Sequence, residues 1–144
     1  MKSLPRAAVG LACLALAGLA LSGCALDGSQ RANGSATARV TEKDFHIAAP
    51  RRLPAGEISF SVTNRGPDAH EFIVVRRRSG RLPLRSDGLT VDEDKIESDE
   101  AGALEPADPG TRRISFRLAP GTYELFCNMY GHYRGGMHRK LEVR

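Results

Sequence analysis

The 144-residue sequence predicts an all-β fold of the sandwich class, on three observations. Ile58, Phe60 and Val62 alternate with Glu57, Ser59, Ser61 and Thr63, and Ile114, Phe116 and Leu118 alternate with Arg113, Ser115 and Arg117. A period of two marks strands with one buried and one wet face, the habit of antiparallel sheets. The closing stretch repeats the pattern, with Leu141 and Val143 set between Lys140, Glu142 and Arg144. Turn residues separate these runs: Leu53-Pro54-Ala55-Gly56 precedes the first, Asn64-Arg65-Gly66-Pro67 follows it, and Ala119-Pro120-Gly121 leads into the run 122–127. Short strands so punctuated read as a β-sandwich. With 41% hydrophobic and 26% charged residues, the composition excludes whole-chain disorder and a disulfide-dense scaffold, and the length suits one domain.

In chain order, residues 1–23 read as a secretory signal: Lys2 and Arg6 precede an uncharged run of Ala, Leu, Val and Gly. The run ends in Leu21-Ser22-Gly23-Cys24, which looks like a bacterial lipobox, with Cys24 as the lipid-bearing residue of an exported protein anchored to a cell membrane. A thioether-linked diacylglycerol plus an amide-linked chain supplies the two signals that stable anchoring needs. Loss of Lys2 and Arg6 from 21 cationic residues leaves 19 against 17 acidic ones, a net charge near +2. No aromatic-interleaved basic run accompanies it, so nucleic acid is not an expected partner. Residues 24–38 are small and polar, without apolar periodicity, and read as a flexible tether. The domain proper is expected over 39–144, as a monomer.

Cysteine usage sharpens after processing. Cys13 leaves with the signal and Cys24 is lipidated, so Cys127 stands alone: buried and inert, reactive, or held by a metal.

Between the strands, the window 92–108 carries eight acidic residues against the single Lys95, and reads as an acidic surface excursion, solvated rather than a calcium loop. Thr90-x-x-Glu93 has the form of a capping box, which leaves room for a short helix there.

Chemistry concentrates near the C-terminus, where Cys127, His132 and Met137 fall at five-residue intervals, with His70 upstream at the head of the apolar run 70–75. Two imidazoles and a thiolate with a weak axial thioether form the ligand set of a blue-copper site. The spacing has a physical rationale: one tight loop between two strands supplies three ligands, a second loop supplies His70, and Gly131, Gly135 and Gly136 permit the sharp course. As single residues, Cys127 suits a buried small hydrophobe, and His132 and Met137 suit loop and core positions; together with His70 they suit a metal. A Cys127–His132 nucleophile pair leaves His70 and Met137 unexplained. No Gly-x-Ser-x-Gly, phosphate loop, His-Glu-x-x-His or Cys-x-x-Cys occurs, so no catalytic residue is assigned and an enzyme is not expected. His46 and His138 read as surface or structural residues.

Cys-x4-His-x4-Met after Pro-Gly-x-Tyr-x-Leu, with Asn-x-Gly-x3-His upstream, resembles the cupredoxin superfamily, and the C-terminal spacing is most similar to rusticyanin and auracyanin. The resemblance covers 39–144. It implies a Greek-key β-sandwich, one type 1 copper ion held by His70, Cys127, His132 and Met137, and single-electron transport by Cu(II)/Cu(I) cycling with a redox partner protein. Copper storage, delivery or sensing is the alternative. Arg65, Arg134, Arg139 and Lys140 lie near the ligand loops in sequence, which predicts a basic copper end, an acidic partner, and an acidic excursion set far from the site. Tyr130, Tyr133 and Pro67 are expected to supply apolar surface around His132. The sequence departs from azurin and plastocyanin at Glu71, where those families carry an Asn that ties the two ligand loops together. Glu71 is also a potential oxygen donor.

Overall fold

The computed structural model describes residues 35–144, so the signal, Cys13 and Cys24 lie outside the described residues. The described residues form strands β1 (Ser35–Lys43), β2 (His46–Ala48), β3 (Arg52–Leu53), β4 (Gly56–Asn64), β5 (His70–Arg76), β6 (Glu100–Ala107), β7 (Gly110–Leu118), β8 (Gly121–Phe126) and β9 (His138–Val143), with one helical turn, α1 (His132–Gly135). They make a four-stranded sheet in the order β2-β1-β4-β7 and a five-stranded sheet in the order β3-β9-β8-β5-β6.

The alternating runs form the strands predicted for them. In β4, Ile58, Phe60, Val62 and Asn64 are buried and the residues between them are not. β7 pairs with it antiparallel, with Phe60 opposite Ile114. On its other side β4 pairs parallel with β1, with Ala38 opposite Phe60 and Val40 opposite Val62. The inward side chains meet Phe72, Val74, Leu125, Leu141 and Val143 of the second sheet in one core, where Phe60 stacks on Phe116 at 5.3 Å and tilts against Phe72 at 5.5 Å. Aromatic side chains in such offset contacts carry much of a small domain's burial energy.

β5 is buried on both faces. Phe72 and Val74 point into the main core, whereas Ile73 and Val75 join Leu82, Val91, Ile96, Phe126 and Tyr133 in a second cluster on the outer side of the sheet. The segment between β5 and β6 provides that cover.

Three expectations are corrected here. The tether does not reach residue 38: β1 begins at Ser35, and Ala38 is fully buried beside Phe60. Small residues suit a linker, but they also suit a close strand pairing, and here the pairing of β1 with β4 is what selects them. The acidic window is not one excursion, since its second half is strand β6, hydrogen-bonded to β5, and its first half is anchored by the apolar Val91 and Ile96. Finally, Thr90 caps no helix. Its hydroxyl donates to Asp87 Oδ2, and the chain makes two 3-10 turns, Glu93–Lys95 and Glu97–Asp99, without side-chain caps. Asp87 already gathers the Leu89 and Thr90 N–H groups, so the local turn wins over the capping box.

Strands β1, β4 and β8 end, and β5 and β9 begin, at the same end of the sandwich. Asn64, at the end of β4, donates to Asp68 O and Ala107 O and accepts from Gly66 N–H, which fixes the loop ahead of His70.

Candidate metal centre

His70 opens β5, Cys127 follows β8 and Met137 precedes β9, so three strand ends bring their side chains to one place. The backbone between Cys127 and Met137 closes on itself: Cys127 N–H donates to Met137 O at 3.1 Å and Met137 N–H to His132 O at 2.9 Å. Gly131 (φ 79°) and Gly136 (φ 110°) flank α1 in left-handed conformations that other residues enter only at a cost.

The donor atoms of His70, Cys127 and His132 all lie within 4.8 Å of one another. Cys127 Sγ is 3.4 Å from His132 Nδ1, and the two imidazole rings meet edge-on at 5.1 Å. Met137 is fully buried in the same core as Cys127. His70 and Cys127 are fully buried and His132 keeps 9% exposure. Among the predicted site residues, the structure thus gathers the two His and the Cys, with Met137 in the core beside them. His46 and His138 are exposed and stand outside the cluster.

Protonation states follow from burial. Desolvation and the neighbouring His132 lower the His70 pKa, with Asp44 opposing, so the ring is held in the neutral form a metal requires. Burial pushes the Cys127 thiol up to about 11, although backbone hydrogen bonds from Glu71 and Met129 pull it down. Both ring nitrogens of His70 are buried, and Nδ1 has no partner among the described residues. Such atoms are costly unless something binds them, and a thiolate with two imidazoles suits a soft or borderline transition metal. The residues fit a copper ion.

The chain matches no protein-family model and no curated protein. Solved structures do resemble it. Dithionite-reduced auracyanin of Roseiflexus castenholzii aligns over 76% of this chain and 96% of its own, at 19% identity and a TM-score of 0.57. Auracyanin A of Chloroflexus aurantiacus, a blue copper protein, aligns over 77% and 100%, at 21% identity and a TM-score of 0.57. Rusticyanin of Thiobacillus ferrooxidans aligns over 75% and 77%, at 13% identity and a TM-score of 0.55. The domain has the cupredoxin fold.

Within that fold, Glu71 is the informative departure. Its Oε1 accepts the Asn128 N–H at 2.6 Å, directly after Cys127, so a carboxylate here ties the two ligand loops together. Burial pushes Glu71 up to about 7 while the Asn128 N–H pulls it down. Asn128 extends the tie: its side chain accepts from Val91 N–H, donates to Val91 O, and donates to Glu93 Oε1 at 2.5 Å. The acidic segment therefore packs against the ligand loop, contrary to its predicted distance from the site.

Sequence reasoning missed two other neighbours. Asp44 Oδ1 lies 3.3 Å from His70 Nε2, which leaves Nδ1 as the ring's free donor. Phe45, at φ 60° in the β1–β2 turn, sets its ring against His132 at 5.4 Å and is 53% exposed. A side chain at Gly135 would strike that ring. Only their proximity to a strand-like stretch was legible, since the partner residues lie far along the chain. Phe45 supplies apolar surface against His132, while Tyr130, two residues before it in the chain, and Pro67 are exposed. Tyr133 turns inward, where it packs on Phe126 and His138.

Proposed function

We propose that this protein is an exported, membrane-tethered type 1 (blue) copper protein that carries single electrons between redox partners. The convergence of His70, Cys127 and His132 in a buried site, with Met137 in the adjoining core, carries this reading. When bound, copper supplies a one-electron Cu(II)/Cu(I) couple.

The chain's part is to hold the donors still. Backbone hydrogen bonds lock the loop between Cys127 and Met137, the Glu71–Asn128 bond fixes it to the His70 strand, and the sandwich behind them is close-packed. A rigid donor set that serves both oxidation states leaves little to reorganise, which favours fast transfer. The exposed Phe45 and Tyr130 beside His132 offer a dry contact for a partner. Storage or delivery is less favoured, because the donors are buried rather than open to a receiving protein.

The test is to load the full chain with copper and record visible and EPR spectra. An intense thiolate-to-copper band, with reversible one-electron reduction, is expected; a colourless copper complex overturns the reading. Met137→Leu is expected to retain copper and raise the potential, because a weak axial thioether tunes the site without being required to fill it. Loss of all copper would assign Met137 a structural role. Anchoring is tested separately by Cys24→Ala, which should remove the lipid mass and release the protein from membranes.

A further inference from the structure

A groove of about 1040 Å³ runs along the outer face of the five-stranded sheet, beside but not within the metal centre. Seven Arg and Lys line it, against two Glu. Both carboxylates are already engaged. Glu124 is bound by Arg77 at 3.2 Å, His138 at 3.1 Å and the Tyr133 hydroxyl at 3.2 Å, and Glu142 is bound by Arg52 at 3.3 Å and Arg144 at 2.7 Å. Arg51, Arg81, Arg134, Arg139 and Lys140 have no carboxylate within ion-pair distance among the described residues. The Nε of Arg139 is buried and lacks a hydrogen-bond partner. A concave wall of one sign focuses field lines and raises the local concentration of the opposite charge.

The basic residues predicted to sit at the copper end are thus divided: Arg134, Arg139 and Lys140 line this lateral groove, and Arg65 does not.

We propose that this groove is the docking site for an acidic segment of a partner protein. The match is one of charge and shape. On the outward row of β9, Lys140 stands unpaired between His138, which is bound to Glu124, and Glu142, which is bound by Arg52 and Arg144, and the row repeats about every 7 Å, the spacing of alternate side chains on an extended peptide. Leu82 and Leu84 add apolar contact. A flat bilayer does not enter a concavity, and the chain's own acidic segment is held elsewhere by Asn128 and by Arg78–Asp99. A partner seated here adjoins Tyr133 and Arg134, which directly follow His132. That the partner is a redox protein rests on the proposed function; the docking itself does not.

The test uses the metal-free full chain in neutral detergent and a fluorescent peptide of alternating Glu and Thr, so it stands whatever the copper spectra show. Binding is expected in about 0.02 M salt and should weaken at least tenfold by about 0.15 M, as the Debye length falls to about 8 Å. Arg81→Glu with Lys140→Glu should weaken it at least tenfold and gain affinity for a Lys/Thr peptide, a reversal that misfolding does not produce. Arg113→Glu, on the other sheet, should leave it unchanged. No binding at low salt, or equal loss in both variants, overturns the proposal. So does groove-dependent binding to phosphatidylglycerol vesicles without peptide binding, or a dimer dissolved by the groove variant.

Discussion

Cys127→Ser is expected to abolish the visible band of the copper-loaded protein and to weaken copper binding by orders of magnitude. The sulfur is fully buried, 3.4 Å from His132 Nδ1, and accepts backbone hydrogen bonds from Glu71 and Met129. A serine oxygen fits the space but is a hard donor that keeps its proton, so it supplies neither the covalency nor the charge of a thiolate. Wild type carries a second signature. Because the thiol is pushed up to about 11, it is protonated at neutral pH and binding must expel that proton. Apparent affinity should therefore rise about tenfold per pH unit between pH 6 and 9, the weight of one proton. Competition against a chelator at several pH values reads the slope. In the Ser variant the thiol's contribution to that slope should vanish with the band, while circular dichroism shows the fold retained. A variant that keeps the band, or a wild-type affinity flat with pH, would remove Cys127 from the donor set.

The strands with strict alternation were legible because one face is wet: β4, β7 and β9 show their burial in their spelling. β5 was legible only as an apolar run, since both of its faces are covered, and β1 was read in part as linker because Ser35 and Ala36 carry no apolar signal. β6 was hidden for the opposite reason. It is an edge strand, paired on one side with β5, and its Glu100 and Glu105 face solvent, so charge concealed a ladder that the backbone holds. Edge strands commonly carry such charges, which discourage pairing with other chains.

The donors themselves were legible from spacing, because a loop that must return from β8 to β9 within eleven residues leaves few arrangements for Cys127, His132 and Met137. The residues around them were not. Asp44, Phe45 and Asn128 meet the site through contacts 26 to 87 residues apart in sequence, and nothing local in their spelling announces a partner. The same holds for charge: Arg134 and Lys140 lie close to the loop in sequence, yet Arg134 from α1 and Lys140 from the outward row of β9 both line the lateral groove.

Glu42→Gln is expected to stabilise the metal-free protein at alkaline pH and not at acid pH. Glu42 ends the buried part of β1 with both carboxylate oxygens enclosed and unpartnered. Burial raises its pKa from 4.5 to about 7, with Arg112 opposing and Glu71 adding to the rise. The folded state thus holds this proton more tightly than the unfolded chain does. Its contribution is complete below the unfolded value near 4.5, declines as pH rises from there, and is lost once pH passes about 7. At about 1.4 kcal/mol per pH unit, the wild type should lose roughly 3 kcal/mol over that window through this group. Glutamine keeps the shape of the protonated acid and cannot ionise, so the variant should match wild type at pH 4.5 and exceed it by about 2–3 kcal/mol at pH 8.5. Glu71, also raised to about 7, keeps part of the decline in both proteins, which makes the difference between the two curves the quantity to read. Urea unfolding at four pH values measures it. Curves that run parallel from pH 4.5 to 8.5 would mean that Glu42 ionises in the folded state as readily as in water, and that its carboxylate is reached by solvent or by Arg112.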